Sequence, residues 1–246
     1  MGGLSLNKGK NDLRFAILWI IIYVFGSSCA DLLSAKIGME KLLTLPVHAG
    51  MSLCLLVWMR RSRRTAEYGL CKPKCSARRF LYYLPLAALA SCNLWYGAAM
   101  RMSPQEAALY IASMICVGFL EEIIFRGLLF QAMRRDNLRS AIIVSSLTFG
   151  IGHILNLFNG SGMELVAGLC QVCYATAFGF LCVLIFYRSG SLLPCIIVHS
   201  AVNALSAFSS PAAETTRSTI ISSAILCIGT IAYALVLNQT LPKAEE

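Results

Sequence analysis

Residues 107–130 read AALYIASMICVGFLEEIIFRGLLF, an apolar stretch broken by Glu121 and Glu122, with Arg126 one helical turn further on. Unpaired charge in hydrocarbon costs about 2.5–3.5 kcal/mol per residue even on the milder insertion scales. Three ionisable groups so close together must therefore face a protein interior or a watery cavity, and such groups mark a functional site by default. The stretch reads at once as a membrane-spanning helix and as one wall of a polar site.

Working outward, the composition agrees with a membrane protein. Of 246 residues, 57% are hydrophobic and 13% charged, and the mean hydropathy is +0.68. A soluble domain is closer to half apolar and a quarter charged. Crossing a bilayer takes about 20 helical residues, which predicts eight spans at roughly 13–31, 42–59, 80–98, 105–130, 141–158, 164–187, 191–208 and 218–238. The expected fold class is all-α, a polytopic transmembrane helical bundle of about eight spans. A count of seven survives if the first or last segment is interfacial. Pro85 and Pro194 fall inside spans, where membrane helices tolerate proline. Asn159-Gly160-Ser161-Gly162 and Arg188-Ser189-Gly190-Ser191 supply turn chemistry.

The formal charge of +9 invites a nucleic-acid reading, but its placement argues against one. Arg60, Arg61, Arg63, Arg64, Lys72, Lys74, Arg78 and Arg79 lie between two apolar segments, and Arg134, Arg135 and Arg139 between two others. Basic clusters in short loops orient spans toward the cytoplasm, with contact to anionic lipid as a by-product. The expected localisation is the cell membrane, multi-pass, with both termini cytoplasmic. Asp31, Glu40 and Glu214 belong to the opposite-side loops. The run Phe15–Ala30 after Lys8, Lys10 and Arg14 resembles a signal peptide, but similar segments follow and favour an uncleaved span. Gly2 lacks the Ser or Thr that an N-myristoylation motif requires. Most of the 11 cysteines sit in apolar stretches and read as small hydrophobes. Cys71 and Cys75 flank Lys72-Pro73-Lys74, a weak metal signal without a second pair.

The polar residues of the second half fall into motifs: Glu121-Glu122-x-x-x-Arg126, Phe149-x-x-x-His153 and His199-x-x-x-Asn203, together with Asn156. Members of each motif lie one turn apart on one face, so Glu122 can pair with Arg126, while Glu121 points about 100° away. Counting from the basic ends at 1.5 Å per residue, Glu121 and His153 lie about 20 Å deep and His199 about 15 Å. Three helices thus bring a carboxylate and two imidazoles to a comparable level. Glu121 suits a general base, His153 can share its water, and His199 with Asn203 can donate to an oxyanion. This set hydrolyses a peptide bond without a nucleophilic Ser or Cys. Blander readings stand beside it. Asn156 reads as interhelical glue, and Glu122 with Arg126 reads equally as a structural pair. Zinc on Glu121, His153 and His199 is a minor option, and a proton-coupled transporter another. The asymmetry of the polar residues lowers the transporter reading, since inverted-repeat transporters show matching halves.

On these three motifs, with Gly127 and the lead-in Gly190-Ser191-Leu192-Leu193-Pro194, the sequence resembles the CPBP family (CAAX protease and bacteriocin-processing, or Abi), which includes the type II CAAX prenyl proteases. The resemblance covers about 107–207. It implies an eight-helix bundle with a conical cavity, and a glutamate-dependent intramembrane endopeptidase acting on a membrane-associated protein or peptide. Glu121 is then the base, His153 holds the water, and His199 and Asn203 form the oxyanion site. The candidate catalytic residues are Glu121, Glu122, His153, His199 and Asn203, with Arg126 as charge partner and no cofactor. The alternative the family allows is a nonproteolytic scaffold or bacteriocin-immunity protein. The expected organisation is 1–104, N-terminal helices with the basic loop; 105–210, the catalytic core; and 211–246, the last helix and tail. The lipid bilayer and the substrate are the expected partners.

Overall fold

A computed structural model describes residues 2–74, 84–158, 163–210 and 215–240. Cys75, Arg78, Arg79, the start of the 80–98 span, the Asn159–Gly162 turn and Glu214 lie outside the described residues. The described chain is all helical apart from one isolated bridge between Ala98 and Ser209. The main helices are α1 (Gly2–Ile37), α2 (Thr44–Arg61), α3 (Leu84–Ala90), α4 (Pro104–Glu121), α5 (Gln131–Arg134), α6 (Leu138–Gly152), α7 (Leu165–Ser189), α8 (Leu193–Leu205) and α9 (Thr216–Thr240). Residues Glu122–Phe130 form a π-helical stretch that makes α4 and α5 one continuous rod.

Among the described residues, five helical segments are long and apolar enough to cross a membrane: Gly9–Ile37, Pro104–Arg134, Leu138–Leu157, Leu165–Ser189 and Thr216–Thr240. The other three expected spans take different forms. His48, Arg60 and Arg61 make α2 less apolar; the described part of α3 has 7 residues, and Leu193–Phe208 is an apolar helix below spanning length. Ile17, Phe25, Ile115, Ile143, Ile197 and Ile228 stay exposed, as side chains facing lipid would.

Local chemistry explains the breaks. Ser103 and Glu106 cap each other's backbone N–H groups at the start of α4, with Pro104 filling the first helical position. Asn137 caps α6 through Ser140 N. Gly190, at φ 70°, ends α7 in the left-handed region. Pro194 sits in the first turn of α8, where its missing N–H costs nothing.

The bundle has two tied ends. At one, Asp12 meets Arg64 and Arg135, and Glu67 meets the same two arginines. The bonds to Glu67 and Asp12 hold the Arg64 guanidinium above its ordinary pKa. At that end Lys74 N also donates to Ser189 O (2.9 Å), and Arg188 donates to Asn238 O (3.0 Å). The first part of α1, the described parts of both basic loops and the end of α9 therefore share one end. At the other end, Arg101 donates to Ser206 O (3.0 Å) and Ser209 Oγ (2.8 Å).

Between the ends, α7 packs along α6 and α9, while α4 packs along α8 and α2. Two crossings are close. A Cβ on Gly118 would lie 2.7 Å from Ser200 N on α8, and one on Gly150 would lie 2.9 Å from Thr176 N on α7. Small residues at such crossings let backbones approach, as membrane helices favour. Gly118→Val is expected to cost about 1–3 kcal/mol by overpacking, read as a lower unfolding temperature in detergent. Gly229→Ala, in mid-helix with nothing within 4 Å, should not lower that temperature.

Candidate active site

The continuous rod of α4 and its π-helical extension carries Glu121, Glu122 and Arg126. The α-helical expectation fails from Glu122 onward. The wider i→i+5 turns run to Phe130, a geometry found often at functional sites. Glu122 and Arg126 pair nonetheless: Arg126 Nη1 lies 3.3 Å from Glu122 Oε1, and both side chains are 0% exposed. The guanidinium carbon sits 4.0 Å from the Phe149 ring centroid, a desolvated cation–π contact. Its nitrogens make no hydrogen bond among the described residues. Gly179 leaves this space open, since a Cβ there would lie 3.0 Å from Arg126 Nη2.

His199, 5% exposed on α8, stands between the two carboxylates. Its Nδ1 donates to Glu122 Oε1 at 2.9 Å, and its Nε2 lies 3.4 Å from Glu121 Oε2. Phe149 and Phe178 hold the imidazole edge-on at 5.6 and 5.5 Å. The depth argument that set Glu121 and His199 on one level agrees with this approach. The sequence reading paired Arg126 with Glu122 but left unseen that Glu122 also binds His199.

Glu121 is oriented from the far side of the bundle. Tyr23 Oη on α1 donates to its Oε1 at 2.6 Å. Its Oε2 is buried and has no hydrogen-bond partner among the described residues. His153 lies at the junction where α6 tightens into a 3₁₀ turn, His153–Leu157. Its Nδ1 donates to Phe149 O at 2.9 Å, so Nε2 remains available. No hydrogen bond or ion pair joins His153 to Glu121 or His199 among the described residues. Phe149 links them instead, its ring 4.9 Å from that of His153. Asn203 follows His199 by one turn of α8, and its side-chain amide makes no hydrogen bond among the described residues. Asn156 donates to Gln171 Oε1 at 3.0 Å and so joins the 3₁₀ turn to α7, in line with its reading as glue.

The zinc set Glu121, His153 and His199 is not gathered by this geometry. Among the described residues, the trio of ligand atoms within 4.8 Å of one another is Glu122, Cys182 and Cys195, all buried. Cys195 Sγ donates to Cys182 O at 3.6 Å, and Glu122 is held by Arg126 and His199. Cys71 Sγ donates to Gly190 O at 3.2 Å, and Cys75 lies outside the described residues. Two residues of this neighbourhood escaped the sequence reading: Tyr23, and His48, which is 2% exposed and bonded to Ser27 and Ser113. The signal was present. Tyr23, Ser27, Asp31 and Ser34 lie on one face of an apolar helix, and a third histidine interrupts the next apolar segment.

Residues 103–205 match the family described as type II CAAX prenyl endopeptidase Rce1-like. The matched segment carries all three motifs and is similar to that family, which is a family of proteases. No curated protein and no solved structure matches the chain.

Removing one member of the buried ion pair leaves the other charge uncompensated. Arg126→Leu is expected to cost about 3–5 kcal/mol, measured by unfolding in detergent. Combining it with Glu122→Leu should recover part of that loss.

Proposed function

We propose, from the premise that residues 103–205 are of the CAAX prenyl endopeptidase type, that this protein is an intramembrane endopeptidase whose general base is Glu121. The observation that carries this reading is Glu121 Oε2: buried, without a hydrogen bond among the described residues, and 3.4 Å from His199 Nε2. A lone buried carboxylate oxygen is costly, and a water held there is both its partner and the nucleophile.

Each remaining group then has a task. Glu121 Oε2 takes a proton from the water as the water oxygen attacks the scissile carbonyl carbon. His153 Nε2, free because Nδ1 is committed to Phe149 O, steadies that water. The carbonyl electron pair moves onto oxygen, where His199 Nε2 and the Asn203 amide donate. When the C–N bond breaks, the proton on Glu121 passes to the departing amine. Glu122 and Arg126 act through His199: Glu122 accepts the hydrogen bond from Nδ1–H, and in the imidazolium form Nε2–H is left to donate to the oxyanion. General-base catalysis of this kind contributes about 10²–10⁴-fold, and one oxyanion donor about 10²–10³-fold. No step requires a resident metal.

The substrate is a membrane-associated protein or peptide, since the site lies within the span Pro104–Arg134. The basic end faces the cytosol of a cell membrane by the positive-inside rule, with both termini there. Glu121→Gln and His153→Ala are each expected to lower cleavage by at least about 10²-fold at unchanged membrane levels. Comparative peptidomics of cells carrying wild-type protein or Glu121→Gln reads that loss and names the substrate. Full activity in Glu121→Gln overturns the mechanism, and a phenotype kept without cleavage supports the nonproteolytic alternative. Activity of the purified protein should also survive a strong chelator.

A further inference from the structure

The N-terminal helices lie outside the matched segment 103–205, yet one of them touches the base. α1 is poorly buried: only 17% of its most apolar window is covered, against 50% for α7. Apolar packing is therefore a weak determinant of its register. A polar seam does that work. Tyr23, Ser27, Asp31 and Ser34 recur every three or four residues on one face of α1, opposite Thr44 and His48 on α2.

The seam consists of two bonded groups and a ring contact. Asp31 Oδ1 accepts from Lys41 Nζ and Thr44 Oγ1, both at 2.7 Å. Ser34 Oγ accepts from Leu43 N at 3.0 Å. Ser27 Oγ meets His48 Nε2 at 2.9 Å, and His48 Nδ1 meets Ser113 Oγ of α4 at 3.0 Å. The Tyr23 ring lies 6.0 Å from the His48 ring, and its hydroxyl donates to Glu121 two turns beyond Ser113. Turning α1 by one residue, about 100°, would strip partners from several groups that no water reaches, each loss costing a desolvation penalty. The seam thus fixes where the Tyr23 hydroxyl points.

We propose that Tyr23, set in place by the α1–α2 polar seam, is a positioning residue for Glu121: it holds Oε1 and turns Oε2 toward the water and the scissile bond. The role rests on the protease reading above. In it the α1–α2 pair is a working part of the site rather than a membrane anchor. The phenol transfers no proton; it fixes which carboxylate oxygen receives one. An interhelical hydrogen bond that serves as glue alone would hold α1 without affecting turnover.

The test uses the purified full chain in nanodiscs, with an internally quenched peptide ending in a farnesylated Cys-aliphatic-aliphatic-X sequence as probe. Tyr23→Phe keeps the ring and removes the donor. The expected result is a kcat lowered about 10–100-fold, the scale of a small misplacement of a reacting group, with KM within twofold. A thermal double-mutant cycle of Tyr23→Phe and Glu121→Gln reads the contact without catalysis, and the two losses are expected to be non-additive. Coupling with kcat within twofold of wild type makes Tyr23 glue, overturning the positioning role while leaving the protease reading intact. Additive losses show that the contact does not form, which also overturns it. No cleavage by the wild-type chain, with coupling present, overturns the protease reading itself and takes the positioning role with it.

Discussion

A carboxylate that water cannot reach must find its counter-charge and its hydrogen bonds inside the protein, and Glu122 is such a group. Two helices meet the needs of its Oε1: Arg126 from its own rod and His199 from α8, while Oε2 is buried with no hydrogen bond among the described residues. Much of the surrounding structure follows. Arg126 needs an aromatic face, which Phe149 of α6 presents, and room beside it, which Gly179 of α7 provides. His199 needs α8 close to α4, which the bare Gly118 allows. Breaking the pair would leave a buried charge unmatched, far costlier than the pair's net contribution to stability. The pair is therefore better understood as a specifier of arrangement than as a source of stability.

The second carboxylate uses the same neighbourhood differently. Glu121 sits one residue earlier, faces α1, and receives a neutral donor rather than a cation. One of its oxygens is fixed and the other is left with an imidazole nitrogen at 3.4 Å. Two adjacent glutamates thus occupy distinct electrostatic settings: Glu122 Oε1 is held by a guanidinium and an imidazole, and Glu121 Oε1 by a phenol. His153 stands at one remove, its ring and carbonyl contact both made through Phe149. Phe149 is thereby the common wall beneath a cation, two imidazoles and the α6 backbone.

Much of this was legible in the sequence because membrane insertion penalises charge so heavily. Glu121, Glu122, Arg126, His153 and His199 stand out against apolar neighbours, and helical spacing orders them. Span counting was coarser. A fixed length of apolar sequence cannot distinguish the 16-residue helix Leu193–Phe208 from a longer one, nor anticipate the helical break that follows Ala90 in the 80–98 segment. The roles of Tyr23 and His48 were hidden for another reason. Tyr23 and Glu121 are 98 residues apart, and a tyrosine or histidine in an apolar helix reads as packing until its partner is seen. The π-helical turn was equally hidden, since the residue types of Glu122–Phe130 are those of any apolar helix.

That π-helical stretch has a consequence for how the rod meets its neighbours. Residues Pro104–Glu121 pack on α8 and α2, while Glu122–Phe130 pack on α1 and α6. An uninterrupted α-helix keeps one phase along its length, so a face matched to α8 at one end drifts out of phase with a different set of partners at the other. Widening the turns between them works as a phase shifter, letting one rigid element mesh with two unlike surroundings. A one-residue deletion within Glu122–Phe130 would reset that phase. Every residue beyond it would be dealt to the wrong neighbour, although no apolar residue need be lost and the segment would remain long enough to span the bilayer.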